Sequence, residues 1–419
     1  MRATYAPAAA TPAREAGQSC EASSLLAQKP TAFEVAGRRP VALQRCDAFV
    51  GRTTNWLYDH LRFVPRYTPL VLCDNLMLRD EFPELEAWVV GGERFFQRVW
   101  RRVAGQAVYP VDAWRLSARA PVVLHSHFGY VAAEDFAVRR HLETPWVVSF
   151  YGADVYLLGT QPEWRERYAK VLGDCTRALA LGPSMAKSLT ELGCPAAKIR
   201  IHPLGVDVQA IPYAPREFTP GGTLRVLCAG TFVEKKGLRY VIEGVALARR
   251  AGLRLELHIV GDRGGRPEEA WVRDEILELI RRLGLDDCVR QHSWVRFKDL
   301  LALALKCHVF AAPSVTASHG DAEGTPFVLQ QMMATAMPVI ATVHSDIPYI
   351  FGQHVSLLVP ERDARGIADR LQRYAEVPET MTREGLALRE RIRNAFNVRA
   401  CAARLSDLYD GLRSGNGHP

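Results

Sequence analysis

Glu323, Gly324, Thr325, Pro326 and Phe327 stand together in PSVTASHGDAEGTPF, a polar loop between the apolar segment KCHVFAA and a helical pattern. Pro313 and the small polar residues after it end a strand, Thr325 reads as an N-cap, and Pro326 reads as the first helical residue. Such a loop turns free backbone N–H groups and the positive end of a helix dipole toward whatever lies above the strand ends, which favours an anionic ligand. Lys235 and Lys236 follow another strand, LRVLCAG, in the stretch TFVEKKG; taken alone, they read as a solvated pair at a helix start. His125 and His127 in HSHFG, and Tyr151, Gly152 and Asp154 in FYGAD, end two further apolar runs. A histidine in that place is more often structural than catalytic when nothing else is known. No D-x-D pair stands at a strand end, so no Mg²⁺ or Mn²⁺ clamp is expected. No G-x-S-x-G or Cys/His signature of a nucleophile is found either.

The elements that must position these residues alternate. PLVLC, AVYPV, PVVLHSHFG, TPWVVSFYG, ALALGPS and KIRIHPLGVD read as strands separated by helical patterns. After the Pro- and Gly-rich stretch 208–222 the rhythm restarts with LRVLCAG, LRLELHIVGD, DDCVRQHSWV, KCHVFAAPS and MPVIATVHSD, with helical stretches such as 268–283 between them. This pattern implies an α/β protein with two doubly wound, Rossmann-like domains, residues 41–207 and 223–384, joined by the linker 208–222. Ligands of such sheets bind beyond the C-terminal strand ends, so two facing domains share one cleft. A last helical stretch covers 385–412. Residues 1–40, rich in Ala, Pro and Ser, read as a disordered leader; Glu15 and Glu21 argue against a transit peptide.

The chain has 419 residues, nearly half of them apolar, enough for two cores of ordinary size. Its nine cysteines are scattered, with no C-x-x-C pair, as expected of small buried residues in a reducing compartment. With no apolar run near the roughly 20 residues that span a bilayer, a cytoplasmic location is expected. The net charge of +7 is concentrated in part in residues 93–103, ERFFQRVWRRV. There Phe95, Phe96, Val99, Trp100 and Val103 recur at helical spacing beside four arginines. Two readings stand: an ordinary helix with its apolar stripe on the core, or a helix lying on anionic lipid as a peripheral membrane contact. No nucleic-acid-binding motif accompanies the basic residues.

The loop at Glu323 resembles the nucleotide-sugar loop of retaining glycosyltransferases of the large family often called family 4, built on the GT-B fold. The resemblance covers roughly residues 45–412. In that family an E-G-x-P loop carries a second Glu eight residues on; here those positions hold Glu323 and Gln331. The resemblance implies that Glu323 lies against the transferred sugar, that backbone N–H groups of Gly324, Thr325 and Phe327, in the loop that Pro326 completes, hold sugar hydroxyls, and that Gln331 accepts from the ribose through its amide oxygen. It places Lys236 on the diphosphate, with Gly230 and Thr231 beside it, and Asp262 of IVGD near the base. It also makes His127 and Asp154, with Glu323 and Lys236, the candidate catalytic residues, and places Tyr151, Gly152 and Asp154 on the acceptor side of the reacting centre. HSDIP at 344–348 matches a bacterial branch that builds exopolysaccharides of the colanic-acid type. The chain departs from the pattern at Thr231 (usually Arg), Gln331 and Tyr349 (usually Glu), Ser356 (usually Gly) and Tyr151 (often His). The implied activity is retaining, metal-independent transfer of a sugar from a nucleotide-diphosphate sugar to an acceptor hydroxyl, with no other cofactor. The acceptor would be a saccharide, a lipid-linked intermediate or a metabolite, met in the cytoplasm at the inner face of the membrane. The departures leave a second reading open, a catalytically weakened relative that binds a sugar, lipid or partner subunit.

Overall fold

Parallel pairing covered on both faces is what near-continuous apolar strands and intervening amphipathic helices allow. The computed structural model describes residues 39–51, 56–81, 84–90, 99, 102–104, 110–263 and 270–414. The first sheet contains Val41–Phe49 (β1), Thr68–Leu76 (β2), Glu86–Val89 (β3), Val123–His127 (β4), Trp146–Ser149 (β5), Arg177–Ala180 (β6) and Ile199–Ile201 (β7). The second contains Leu224–Ala229 (β8), Leu255–Val260 (β9), Val289–His292 (β10), Val309–Ala312 (β11) and Val339–Ala341 (β12). Their orders are β3-β2-β1-β4-β5-β6-β7 and β10-β9-β8-β11-β12, and the described strand pairs are parallel. Each sheet reverses its winding once, between β1 and β4 and between β8 and β11. Such reversal points open a crevice at the carboxyl ends of the strands.

Two elements were not legible as strands. β1 contains Gln44, Arg45 and Asp47, which break its apolar run, yet it is central and Gln44 and Arg45 are each only 1% exposed. The guanidinium of Arg45 is matched inside the sheet by Asp74 at 2.6 Å and Asp135 at 3.2 Å. β3 is a half-exposed edge of four residues, too short to carry a period. Conversely, AVYPV is not a described strand. Residues 107–109 lie outside the described residues, and Pro110 opens the helix Pro110–Ser117, as proline favours at a first helical position. The leader 1–40 falls almost wholly outside the described residues, as do eight residues of 93–103. No helix among the described residues is long and apolar enough to cross a membrane.

The stretch 385–412 is not one helix. Glu379–Ala395 packs on the second domain, and Val398–Arg413 begins anew after Asn397, whose side chain caps it by accepting from the Arg399 N–H at 2.9 Å. Ala402, Leu405 and Tyr409 of that second helix share a core with Ala42, Val123, Val147 and Leu179 of the first sheet.

The segment 208–222 is irregular but anchored. Ile211 and Phe218 enter the second domain's cores, and buried Arg216 donates to the carbonyls of Cys307 at 2.8 Å, Ala304 at 3.1 Å and Thr335 at 3.3 Å. These acceptors lie at the C-terminal ends of the helices Phe297–Ala304 and Phe327–Ala334, where the helix dipole favours a cation. Burial still pulls the guanidinium down to about 10. Replacing Arg216 by Ala strands several buried carbonyls, and we expect a loss of about 3 kcal/mol of unfolding free energy in a denaturant titration. A loss of a few tenths would mean that water takes its place.

Candidate active site

Strand β8 ends at Ala229, and after Gly230 the chain turns through the short helix Glu234–Lys236, which Gly237 closes at φ 64°. A Cβ on Gly237 would lie 1.9 Å from the Pro313 carbonyl oxygen, so only glycine lets this turn sit against the end of β11. The contact bridges the reversal point of the second sheet and sets the lysines beside the loop that follows Pro313. That loop is tied down on the turn. Val315 N–H donates to the Lys235 carbonyl at 2.9 Å, Ser318 N–H donates to Glu234 Oε1 at 2.9 Å, and Lys235 Nζ donates to Asp321 Oδ1 at 3.2 Å and the Ala322 carbonyl at 3.3 Å.

Glu323 is the electrostatic centre of this cradle. Its Oε1 lies 3.1 Å from Lys236 Nζ and 3.7 Å from Lys235 Nζ, and the residue is 7% exposed. Burial pushes the carboxyl up, but the two ammonium groups outweigh it and hold the group at about 2, so it is ionised at any ordinary pH. Its backbone N–H donates to His344 Nε2 at 3.0 Å, which puts the imidazole proton on Nδ1, 2.5 Å from Glu361 Oε1. Glu361 in turn accepts from the Thr316 N–H at 3.0 Å.

The helix after the loop is Phe327–Ala334, one residue later than the sequence reading. Pro326, with ψ 114°, is its cap residue, and the buried Thr325 hydroxyl makes no capping bond. Phe327 packs on apolar clusters of both domains, and Gln331, one turn on, shares its face. Thr231 is half-buried after Gly230, whereas Asp262 is at the lip, 39% exposed on its side chain and 3.1 Å from Arg273.

The first domain meets this loop directly. A Cβ on Gly324 would lie 2.8 Å from the Tyr151 carbonyl oxygen, and one on Gly152 would lie 3.4 Å from the Gly324 nitrogen. Asp154 holds the 151–152 turn in place. Its Oδ1 accepts from the N–H groups of Tyr151 at 3.0 Å and Gly152 at 2.9 Å, and its Oδ2 from that of Gly129 at 3.1 Å.

His127 is likewise engaged on both nitrogens. Gln44 directs its amide nitrogen to the Ala42 carbonyl and Tyr409 Oη, which leaves its oxygen to accept from His127 Nε2 at 3.0 Å. Nδ1 of His127 therefore accepts from the Tyr151 hydroxyl at 2.6 Å. Tyr409 Oη lies 2.6 Å from His125 Nδ1, and His125 Nε2 lies 2.7 Å from Ser149 Oγ. The six side chains form one hydrogen-bonded chain, running Ser149, His125, Tyr409, Gln44, His127 and Tyr151. It joins β1, β4, β5 and the C-terminal helix to Tyr151. Burial brings His127 down to about 3 and His125 well below its usual range, and nearby His60 falls to about 4.

These histidines are neutral in the folded chain and charge in the unfolded one, so unfolding takes up protons below about pH 6.5. Stability is fully present above that pH and falls as pH drops toward their folded values. The expected slope approaches about 1.4 kcal/mol per pH unit for each such histidine. Denaturant midpoints that stay level between pH 7 and 5 would contradict this.

Sequence reasoning gave no site role to Lys235, Asp321, His344 and Glu361 around Glu323, nor to Gln44 and Tyr409 in the hydrogen-bonded chain at His127. A residual signal existed for the first group, since Asp321 and Glu323 alternate opposite a lysine pair; Gln44 and Tyr409, 365 residues apart, offered none.

Two family models match the chain: Glycosyltransferase Family 4 over residues 67–210 and Glycosyl transferases group 1 over residues 223–376. The amylovoran biosynthesis glycosyltransferase AmsK of Erwinia amylovora is 27% identical over 68% of this chain and 69% of its own length. A relative from Escherichia coli K12 named for colanic acid biosynthesis is 29% identical, and the match spans 63% of each chain. Among solved structures, the sucrose-phosphate synthase of Thermosynechococcus elongatus aligns with TM-score 0.70 at 18% identity, covering 90% of this chain and 100% of that one. Anabaena HepE, solved with UDP and glucose, aligns with TM-score 0.72 at 14% identity, covering 89% of this chain and 100% of that one. The fold is GT-B.

Proposed function

We propose that this GT-B chain, which carries a family 4 and a group 1 glycosyltransferase domain, moves a sugar with retention from a nucleoside-diphosphate sugar to an acceptor hydroxyl during exopolysaccharide assembly. The observation that carries the reading is Glu323. It is a buried carboxylate, ionised at ordinary pH, beside a lysine, at the reversal point of one sheet and against the strand-end turn of the other. In this reading Lys236 leaves the carboxylate's side to meet the diphosphate, assisted by the N-terminal end of the helix Phe327–Ala334, and neutralises charge growing on the leaving phosphate. The cradle supplies that charge without a metal ion. Glu323 faces the transferred sugar, Gln331 and Thr231 line the nucleotide, and Asp262 stands at the base end. The leaving phosphate oxygen takes the acceptor proton, so no side-chain nucleophile is required. Asp154 and His127 act by holding the Tyr151–Gly152 turn on the acceptor side.

The exopolysaccharide assignment is supported by the names of the relatives. A lipid-linked acceptor would be met at the inner face of a membrane, and among the described residues the exposed Val103 and Trp114, with Arg102 and Arg115, are side chains suited to that contact. Lys236→Ala is expected to weaken binding of the cognate nucleoside diphosphate by about 10- to 100-fold in a calorimetric titration with chelator present. Unchanged affinity would remove Lys236 from the diphosphate. The second reading, binding without turnover, rests on Thr231 and Gln331 in place of charged residues and requires a bound nucleotide sugar that is never cleaved.

A further inference from the structure

Residues 344–346, His-Ser-Asp, face two domains at once. His344 holds the Glu323 N–H, as described. Ser345 takes the left-handed conformation at φ 44°, rare for a residue with a side chain, and its hydroxyl donates to Tyr156 Oη of the first domain at 3.0 Å. Asp346, 1% exposed, accepts at Oδ1 from the Ser184 N–H at 2.7 Å and at Oδ2 from the Met185 N–H at 3.1 Å. These are free N–H groups in the first turn of the first-domain helix Pro183–Glu191, which has no side-chain cap from its own flanking residue, Gly182. A Cβ on Gly182 would lie 2.5 Å from Asp346 Oδ1, so the bare backbone there admits the carboxylate. Asp346 therefore caps a helix of the other domain, at the end where the dipole favours an anion. Met185 closes the circuit: its N–H is held by Asp346, and its Cε would lie 3.0 Å from a Cβ on Gly324.

We propose that Asp346 is a closure latch and a positioning residue: by capping the first domain's helix it holds the domains together and, through His344 and Met185, fixes the backbone at Glu323 and Gly324. The catalytic consequence rests on the role given to Glu323; the mechanical coupling does not.

The test is amide hydrogen exchange on the full chain, comparing wild type with Asp346→Ala and, should that variant fold poorly, Asp346→Asn, which keeps one acceptor oxygen and sets an NH₂ against the other N–H. Loss of the cap speeds exchange at 183–187 in either case. The latch predicts that exchange at 322–326, on the other domain, also rises about tenfold or more. Faster exchange confined to 183–187 is the signature of a local cap and overturns the coupling. With a cognate donor in hand, Asp346→Ala is expected to lower kcat about tenfold or more while nucleoside diphosphate affinity moves less than about threefold. A kcat equal to wild type overturns the positioning role. A wild-type chain that transfers nothing would sink the proposed reaction, and the exchange data would still decide the latch.

Discussion

Glu323→Gln is expected to lower kcat for sugar transfer by about 100- to 1000-fold, the usual loss when one preorganised electrostatic group is removed from a closed site. The side chain keeps its length and one carbonyl oxygen toward Lys236, and Lys235 keeps Asp321 as its partner, so the fold is expected to survive with a melting temperature within a few degrees of wild type. Affinity for the nucleoside diphosphate should hold or rise, because Lys236 no longer faces a competing carboxylate. The ionisation of Glu323 sharpens the prediction. A carboxyl depressed to about 2 contributes stability that is full above its unfolded value near 4.5 and is lost progressively as pH falls from there to about 2. The pH–rate profile between pH 5 and 9 should therefore show no inflection from Glu323. Full activity in the variant, or a Glu323-dependent inflection near neutrality, would contradict its placement.

Gly237→Ala is expected to have the largest structural effect of any single methyl addition in the cradle. The new Cβ would need to occupy space 1.9 Å from the Pro313 carbonyl oxygen, and the backbone stands at φ 64°. Both the clash and the left-handed conformation act against alanine, and we expect a loss of about 2–4 kcal/mol in stability. The turn can relieve the clash only by moving away from β11, which carries Lys235 and Lys236 away from Asp321 and Glu323. Nucleotide affinity should then fall together with stability. A variant as stable as wild type would mean that the β8 turn and the end of β11 are not in contact.

The alternation of apolar strands and helices was sufficient to read the two doubly wound sheets, because buried parallel strands carry a signal in composition alone. Strand β1 escaped for a physical reason: its polar residues are paid into internal networks, with Arg45 held by two aspartates and Gln44 by a histidine and a tyrosine. The 385–412 stretch looked continuous because the break at Phe396–Asn397 is a change of direction rather than of composition. At the site, the segment around Glu323 was readable since loop, helix start and strand are contiguous. What the sequence could not carry was contact between distant segments, such as Lys235 with Asp321, His344 with the Glu323 backbone, and Tyr409 with His125. His127 and Asp154 stood out by type and place, yet both turn out to spend their hydrogen-bonding capacity on neighbouring protein groups.

Donor turnover tests the central claim most directly. The purified chain would be mixed with UDP-, GDP-, ADP- and dTDP-sugars in the presence of chelator and a saccharide or lipid-linked acceptor extract, and the nucleotides separated by chromatography. Release of the nucleoside diphosphate from one donor, with the sugar appearing on an acceptor or on water, is the result predicted. A nucleotide sugar that binds and stays intact under every acceptor condition would contradict it.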